Sequence, residues 1–295
     1  MPETQANGIT LHYDEHGDPG DPPMLLVMGL GAQMTLWPIE LVEALAGRGF
    51  RVIRYDNRDI GLSQKMEGAK APGVVRHMIM RRFGLRPSVP YTLSDMAADG
   101  IGLLDALGID CAHVVGASMG GMIAQLMAVN HPERLLSLTS IMSSTGNPRL
   151  PQAEKHAMKA LTTRPASTEE EVLIAHGIMV GNAIGSPGYR PDPERQRARV
   201  AENVRRSVYP EGMRRQMAAI IDDGDRRSRL AKVAVPTLVL HGEDDPLVKV
   251  DAGRDTAASI PGAKLRTIPG WGHDLPAELV DDLADAITGH ARSVG

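Results

Sequence analysis

Residues 113–121 constrain the fold more than any other stretch of this sequence. The apolar run His113-Val114-Val115 passes through Gly116-Ala117-Ser118-Met119-Gly120 directly into a helical pattern, leaving no loop between a strand and the helix after it. So sharp a turn drives neighbouring side chains together, and glycine at 116 and 120 removes the colliding Cβ atoms. Ser118, between them, is lifted to the strand end, where the free N–H groups of the helix start favour negative charge.

Elsewhere short apolar runs alternate with amphipathic stretches. Met24-Leu25-Leu26-Val27-Met28 reads as a buried strand ending at the tight loop Gly29-Leu30-Gly31, 41–46 has helical spacing, and Arg51-Val52-Ile53-Arg54-Tyr55 reads as the next strand. A strand, helix, strand order implies a parallel pair. The pattern continues with a helix over 93–107, the strand before Ser118, and a strand at Leu138-Thr139-Ser140-Ile141-Met142. It resumes at Val235-Pro236-Thr237-Leu238-Val239-Leu240 and Lys264-Leu265-Arg266-Thr267-Ile268, and closes with a helix over 279–290. The expected fold class is α/β, a doubly wound, mostly parallel sheet.

Between 144 and 230 the texture turns polar, Arg-rich and Pro-punctuated, with helical stretches near 151–161, 169–180, 193–207 and 211–221. We expect a helical cap over 144–230, inserted into one α/β domain formed by 1–143 and 231–295. A second departure, 66–90, alternates Arg76, Arg81, Arg82 and Arg86 with Met78, Ile79, Met80 and Phe83. A basic amphipathic stretch can touch a membrane surface or an acidic partner; the plainer expectation is a surface helix or lid edge with its apolar side packed down.

Composition narrows the function classes. Hydrophobic residues at 42% and charged residues at 23% suit a globular chain with a sizeable core. A net charge of -4 lacks the footprint of a nucleic-acid binder, so the expected partner is a small molecule. Cys111 is the only cysteine, which excludes an intramolecular disulfide framework and argues against a Cys-based zinc site. It is expected to be a small buried residue beside a strand. The start Met1-Pro2-Glu3-Thr4-Gln5 has neither a basic nor an apolar character, and no apolar run reaches about 18 residues. Neither a signal peptide nor a membrane span is expected, and the expected location is the cytoplasm.

A serine hydroxyl is a weak nucleophile until a base takes its proton. Of ten histidines, His273 alone follows a late strand through a Gly-rich loop, Pro269-Gly270-Trp271-Gly272, and precedes the last helix. His12, His16 and His113 come too early, His156 and His176 lie in the cap segment, His131 ends the helix after Ser118, and His290 reads as a surface residue. An orienting carboxylate is expected between serine and histidine in the chain, at a strand end, where Glu243-Asp244-Asp245-Pro246 offers three acids. Asp245, immediately before the proline, is preferred, and Asp244 stays open. His241 reads as a packed neighbour. Acyl transfer also needs two N–H donors facing the developing oxyanion; the amides of Met119 and Leu30 are the candidates.

With these residues placed, the chain resembles the α/β-hydrolase superfamily over nearly its full length, and within it the aclacinomycin methylesterases and related carboxylesterases. The resemblance rests on Val27-Met28-Gly29, Arg54-Tyr55-Asp56 with Arg58-Asp59 and Gly61-x-Ser63, and His113-Val114-Val115-Gly116 with Ser118-Met119-Gly120. Gly242-Glu243 with Asp245-Pro246, and Ile268-Pro269-Gly270 with Gly272-His273 and Leu275-Pro276, complete it. It implies the α/β-hydrolase fold, a triad of Ser118, Asp245 and His273, and an oxyanion hole from the backbone N–H groups of Leu30 and Met119. Met28 stands where many members carry a histidine.

The favoured activity is hydrolysis of a carboxylic ester, a methyl ester among the candidates, of a small apolar molecule through an acyl-enzyme, with no cofactor and no metal. A carbon–carbon bond hydrolase of ring-cleavage products shares the triad and the Gly-x-Ser-Met-Gly-Gly elbow and is the runner-up. Dehalogenases and epoxide hydrolases of this fold carry an aspartate at the elbow, and Ser118 argues against both. A non-catalytic receptor often loses a triad member, whereas all three are present here.

Overall fold

The computed structural model describes residues 2–294, so Met1 and Gly295, the outer ends of the expected core segments, lie outside the described residues. The first half forms β1 (Glu3–Ala6), β2 (Ile9–His16), β3 (Pro23–Val27), α1 (Ile39–Gly47), β4 (Arg51–Tyr55), α2 (Val74–Arg82), α3 (Leu93–Ala106), β5 (Ala112–Ala117), α4 (Met119–Asn130) and β6 (Leu135–Ile141). Then come five helices, α5 (Lys155–Thr162), α6 (Glu170–Ile184), α7 (Pro193–Arg206), α8 (Pro210–Asp223) and α9 (Arg227–Leu230). The chain ends with β7 (Thr237–Gly242), α10 (Val250–Ser259), β8 (Lys264–Ile268) and α11 (Val280–Arg292).

The strands form one eight-stranded sheet in the order β1-β2-β4-β3-β5-β6-β7-β8. From β4 to β8 every neighbouring pair is parallel, while β1–β2 and β2–β4 are antiparallel. The fold is therefore the expected α/β class. Both faces of its centre are covered, which is why β3 and β5 read as unbroken apolar runs. Successive side chains point to opposite faces: Leu25 and Val27 join the core under α3 and α4, with Leu93, Met96, Leu104, Ile123 and Met127. Met24 and Leu26 join the other, under α1 and α11, with Leu41, Leu45, Leu283 and Ile287. Burying each such side chain contributes about 1.5–3 kcal/mol. A reciprocal capping box, Thr92 with Asp95, starts α3.

Several local readings change. The first two strands form a hairpin around Asn7-Gly8, both at positive φ (50° and 77°), the geometry that a two-residue primed turn requires. Helix α5 starts at Lys155 rather than at 151, because the chain before it is extended, with Glu154 N–H bonded to Pro246 O. Helix α6 continues to Ile184 and stops at Gly185. His290, read as a surface residue, is buried, with Nε2 3.2 Å from Pro236 O. Cys111 is half-buried, its thiol facing Glu133 O, rather than enclosed. Among the described residues no helix is long and apolar enough to cross a membrane.

Chain order reverses at the centre of the sheet: from β3 the chain goes to β4 on one side and then returns to β5 on the other. In such sheets the crevice at the carboxyl ends of the two strands flanking the reversal is where ligands bind. The register pairs Val27 with Gly116, so the Gly29–Gly31 loop and Ser118 leave the sheet side by side.

Candidate active site

Ser118 sits at φ 56°, ψ −120°, a backbone conformation that L-residues rarely adopt and that persists only where the surroundings enforce it. Here the enforcement is steric and hydrogen-bonded. A Cβ at Gly116 would overlap Gly120 O, and one at Gly120 would overlap Val27 O, so β5, the turn and α4 close to a distance only glycine allows. Ser118 N–H donates to Ile141 O at 2.9 Å, and Ser143 Oγ donates to Ser118 O at 2.8 Å. Ser118 keeps partial exposure, while Met119 behind it is buried.

Residues 118, 245 and 273, distant in sequence, meet here. His273 Nδ1–H donates to Asp245 Oδ2 at 2.6 Å, which leaves Nε2 unprotonated in the neutral ring, 3.0 Å from Ser118 Oγ and able to accept its proton. Asp245 is fully buried, and its Oδ1 accepts from Leu247 N–H and Val248 N–H, both at 2.8 Å. Burial alone would raise the Asp245 carboxyl, but the facing His273 and His241 rings outweigh it and hold the group well below the usual carboxylate range. Asp244 faces elsewhere: its Oδ2 accepts from Gly270 N–H at 2.8 Å, and Glu243 accepts from Thr267 Oγ1 at 2.7 Å. His241 is buried behind the acid, with Nε2 donating to Val248 O at 2.7 Å and lying 3.6 Å from Asp245 Oδ2.

On the other side of Ser118 lies the β3 loop. A Cβ on Gly29 would come 3.1 Å from Ser118 Cβ, so the loop backbone is pressed against the serine. Within it Gly31 N–H donates to Gln216 Oε1 at 2.9 Å and Ala32 N–H to Gly29 O at 3.3 Å. Among the described residues Leu30 N–H has no hydrogen-bond partner. Met119 opens α4, so its N–H lacks an intrahelical acceptor. Two open donors thus flank the serine.

The β6–β7 connection braces this arrangement with residues that sequence patterns did not single out. Gln216, fully buried on α8, ties Gly31 to Arg58 O, to which its Nε2 donates at 2.9 Å. Arg215 forms a two-pronged pair with Asp59, at 2.7 and 2.8 Å, and Arg206 reaches the buried Asp56 at 2.7 Å. Just after α6, Ser186 grips both flanks of His273. Its Oγ accepts from Gly272 N–H at 2.9 Å and donates to Asp274 Oδ1, which also accepts from Ser186 N–H at 3.1 Å. His273 N–H itself donates to Ile184 O at 2.8 Å. Burial pushes the Asp274 carboxyl up despite those two donors. Among the described residues, no group of three or more His, Cys, Asp or Glu side chains is arranged to hold a metal ion.

A strained serine at a strand-to-helix turn, beside the reversal point of a mostly parallel sheet, defines a class. A family model of the alpha/beta hydrolase fold matches residues 22–278, and the chain belongs to that family. It is similar to the rhodomycin D methylesterase DauP of Streptomyces sp. (strain C5), at 32% identity over 97% of this chain and 96% of that one. The rhodomycin D methylesterase DnrP of Streptomyces peucetius is 31% identical with the same coverage. Among solved structures, the enol-lactonase from Burkholderia xenovorans LB400 superposes with a TM-score of 0.72 at 25% identity, over 99% of this chain and 100% of that one.

Proposed function

We propose that this protein hydrolyses a carboxylic ester of a small apolar molecule, a methyl ester first among the candidates, through an acyl-enzyme on Ser118. The observation that carries the reading is the continuous hydrogen-bonded chain Ser118 Oγ, His273, Asp245, with contacts of 3.0 and 2.6 Å. The similarity to two methylesterases over nearly the whole chain supports the ester class and the methyl preference, and an enol-lactonase, which by name acts on a cyclic ester, agrees with it.

In this reading Ser118 Oγ attacks the ester carbonyl as His273 Nε2 takes its proton, and the oxyanion is received by the N–H groups of Leu30 and Met119. The imidazolium, stabilised by ionised Asp245, then returns the proton to the departing alcohol. Water, deprotonated by the same ring, cleaves the acyl-enzyme and releases the acid. Segment 144–230 acts as a cap over the crevice, holding the oxyanion loop through Gln216 and the histidine loop through Ser186. No step calls on a metal or cofactor.

Replacing Ser118 by Ala is expected to lower kcat by about three orders of magnitude or more, with a residue of activity left by binding and the oxyanion donors, and an unchanged circular dichroism spectrum. Turnover near that of the parent enzyme would remove Ser118 from the mechanism. Methyl esters of bulky aromatic acids should show a higher kcat/KM than short-chain acyl esters; the reverse order overturns the methyl-ester reading and leaves the serine mechanism standing.

A further inference from the structure

Helix α2 is turned the opposite way from an ordinary surface helix. The one side chain it fully buries is polar, His77, packed toward α8 with Nε2 4.0 Å from Asp222 Oδ1, whereas its apolar side chains, the half-buried Met80 excepted, face outward. Val75, Met78, Ile79 and Phe83 are 71%, 58%, 54% and 77% exposed, and Leu85 in the turn beyond is 56% exposed. Their spacing of three and four residues places 75, 78, 79 and 83 on one stripe. Among the described residues, six of the thirteen exposed large apolar side chains fall between 74 and 85. Phe83, one of two phenylalanines in the chain, is the most exposed of them. The expectation that the apolar side of 66–90 packs down is therefore wrong for this helix: His77, with Met80 half-buried beside it, faces the protein, and the stripe of Val75, Met78, Ile79 and Phe83 is open.

The charges on this face are as distinctive. Between 67 and 86 lie five basic side chains and one acidic one, Glu67, in a chain of net charge -4. Arg76, Arg82 and Arg86 are exposed, and among the described residues none has an acidic partner; most arginines elsewhere do, as Arg195, Arg205, Arg214 and Arg266 illustrate. Arg82 lies on the apolar stripe itself, four residues after Met78. A second protein suits such a face poorly, because the centre of a protein interface is depleted of charge and an arginine buried there without a carboxylate is costly. A second copy of this chain would set Arg82 against its own counterpart. At a lipid surface the same mixture is favourable: apolar side chains enter the acyl region while arginines reach back to the phosphates.

We propose that the outer face of α2 with the turn through Arg86 docks on anionic phospholipid, with Val75, Met78, Ile79 and Phe83 inserted and Arg76, Arg82 and Arg86 on the headgroup phosphates. The test is co-sedimentation of the full-length protein with vesicles of phosphatidylglycerol and, separately, of phosphatidylcholine, at low and at high salt. Binding to phosphatidylglycerol alone is expected, weakened by salt. Each basic residue near an anionic surface strengthens association about five-fold, so the triple variant Arg76→Ala, Arg82→Ala, Arg86→Ala should bind at least about ten-fold more weakly. Val75→Ser, Ile79→Ser, Phe83→Ser should lose as much. All six positions are exposed, and an unchanged circular dichroism spectrum will show that each variant folds. Absence of binding, equal binding to phosphatidylcholine, or variants that bind like the parent would overturn the proposal. So would a dimer in light scattering that the Val75, Ile79, Phe83 variant dissociates, since a second copy would then cover the face.

Discussion

Asp244 and Asp245 are neighbours in sequence but point into different networks, one to Gly270 N–H and the other to His273. Strand-end position and chain order apply equally to each, so in the sequence only the place of Asp245 before Pro246 favours it; the backbone direction after β7 separates them. Asp245→Asn keeps the shape but loses the charge that fixes the imidazole tautomer and stabilises its protonated form, and should lower kcat by up to about four orders of magnitude. Asp244→Asn should cost far less, on the order of the 1 kcal/mol a single hydrogen bond is worth. A large loss at 244 with a small one at 245 would refute this partition. Asp245 also carries a stability consequence. Its folded-state affinity for a proton lies below that of the unfolded carboxyl, so its contribution to stability is present above about pH 4 and is lost as pH falls below that. Ser118, by contrast, was legible from sequence, since the glycines that permit its turn are neighbours in the chain.

At the scale of elements, the inner strands of the parallel sheet are legible because burial makes them largely apolar, whereas the edge strand β8 is mostly exposed and is marked instead by its place before the Gly-rich loop of His273. The hairpin of β1 and β2 carries its own signal, Asn7-Gly8 between alternating residues, which a search for strand–helix alternation passes over. Helix α2 resists sequence reading for a different reason: composition marks it as amphipathic, but which side faces the protein depends on α8, more than a hundred residues later. The same distance hides the braces. Ser186 and His273 belong to segments that meet only in the folded chain, and nothing around Gly185 marks it locally. Because Ser186 holds the residues on both sides of His273, Ser186→Ala is expected to lower kcat by up to about 10²-fold through misplacement of the ring, with KM little changed. Asp274→Asn, which keeps an acceptor for both Ser186 donors, should lose much less. If Ser186→Ala lowers the melting temperature yet leaves kcat intact, Ser186 is only structural.

At the scale of the molecule, the β6–β7 connection is pinned at two ends, by Arg206 and Arg215 on Asp56 and Asp59 and by Ser186 on the histidine loop. Asp56 and Asp59, two of the residues on which the family resemblance rests, thus receive cations from a distant segment. The buried histidines give the whole fold an acid sensitivity. Burial lowers His113 to about 4, helped by the charge of nearby His290, and burial likewise holds His290 and His77 below the free imidazole value. Each binds fewer protons folded than unfolded, so stability rises with pH and falls on acidification below about 6.5. The melting temperature should drop steadily from pH 7.5 to 5, and His113→Gln, which retains a partner for Ser137 Oγ, should flatten that slope. A slope unchanged in the variant would exclude His113 as a source.

Acyl transfer through Ser118 is tested most directly by trapping the covalent intermediate itself. The enzyme is mixed with p-nitrophenyl acetate, quenched in acid within the first turnover, and examined by intact-mass and peptide mass spectrometry. One acetyl group per chain, located on Ser118, is expected together with a stoichiometric burst of p-nitrophenolate, and neither in Ser118→Ala. Steady ester turnover with no adduct on Ser118, or with the acetyl group on another residue, would contradict it.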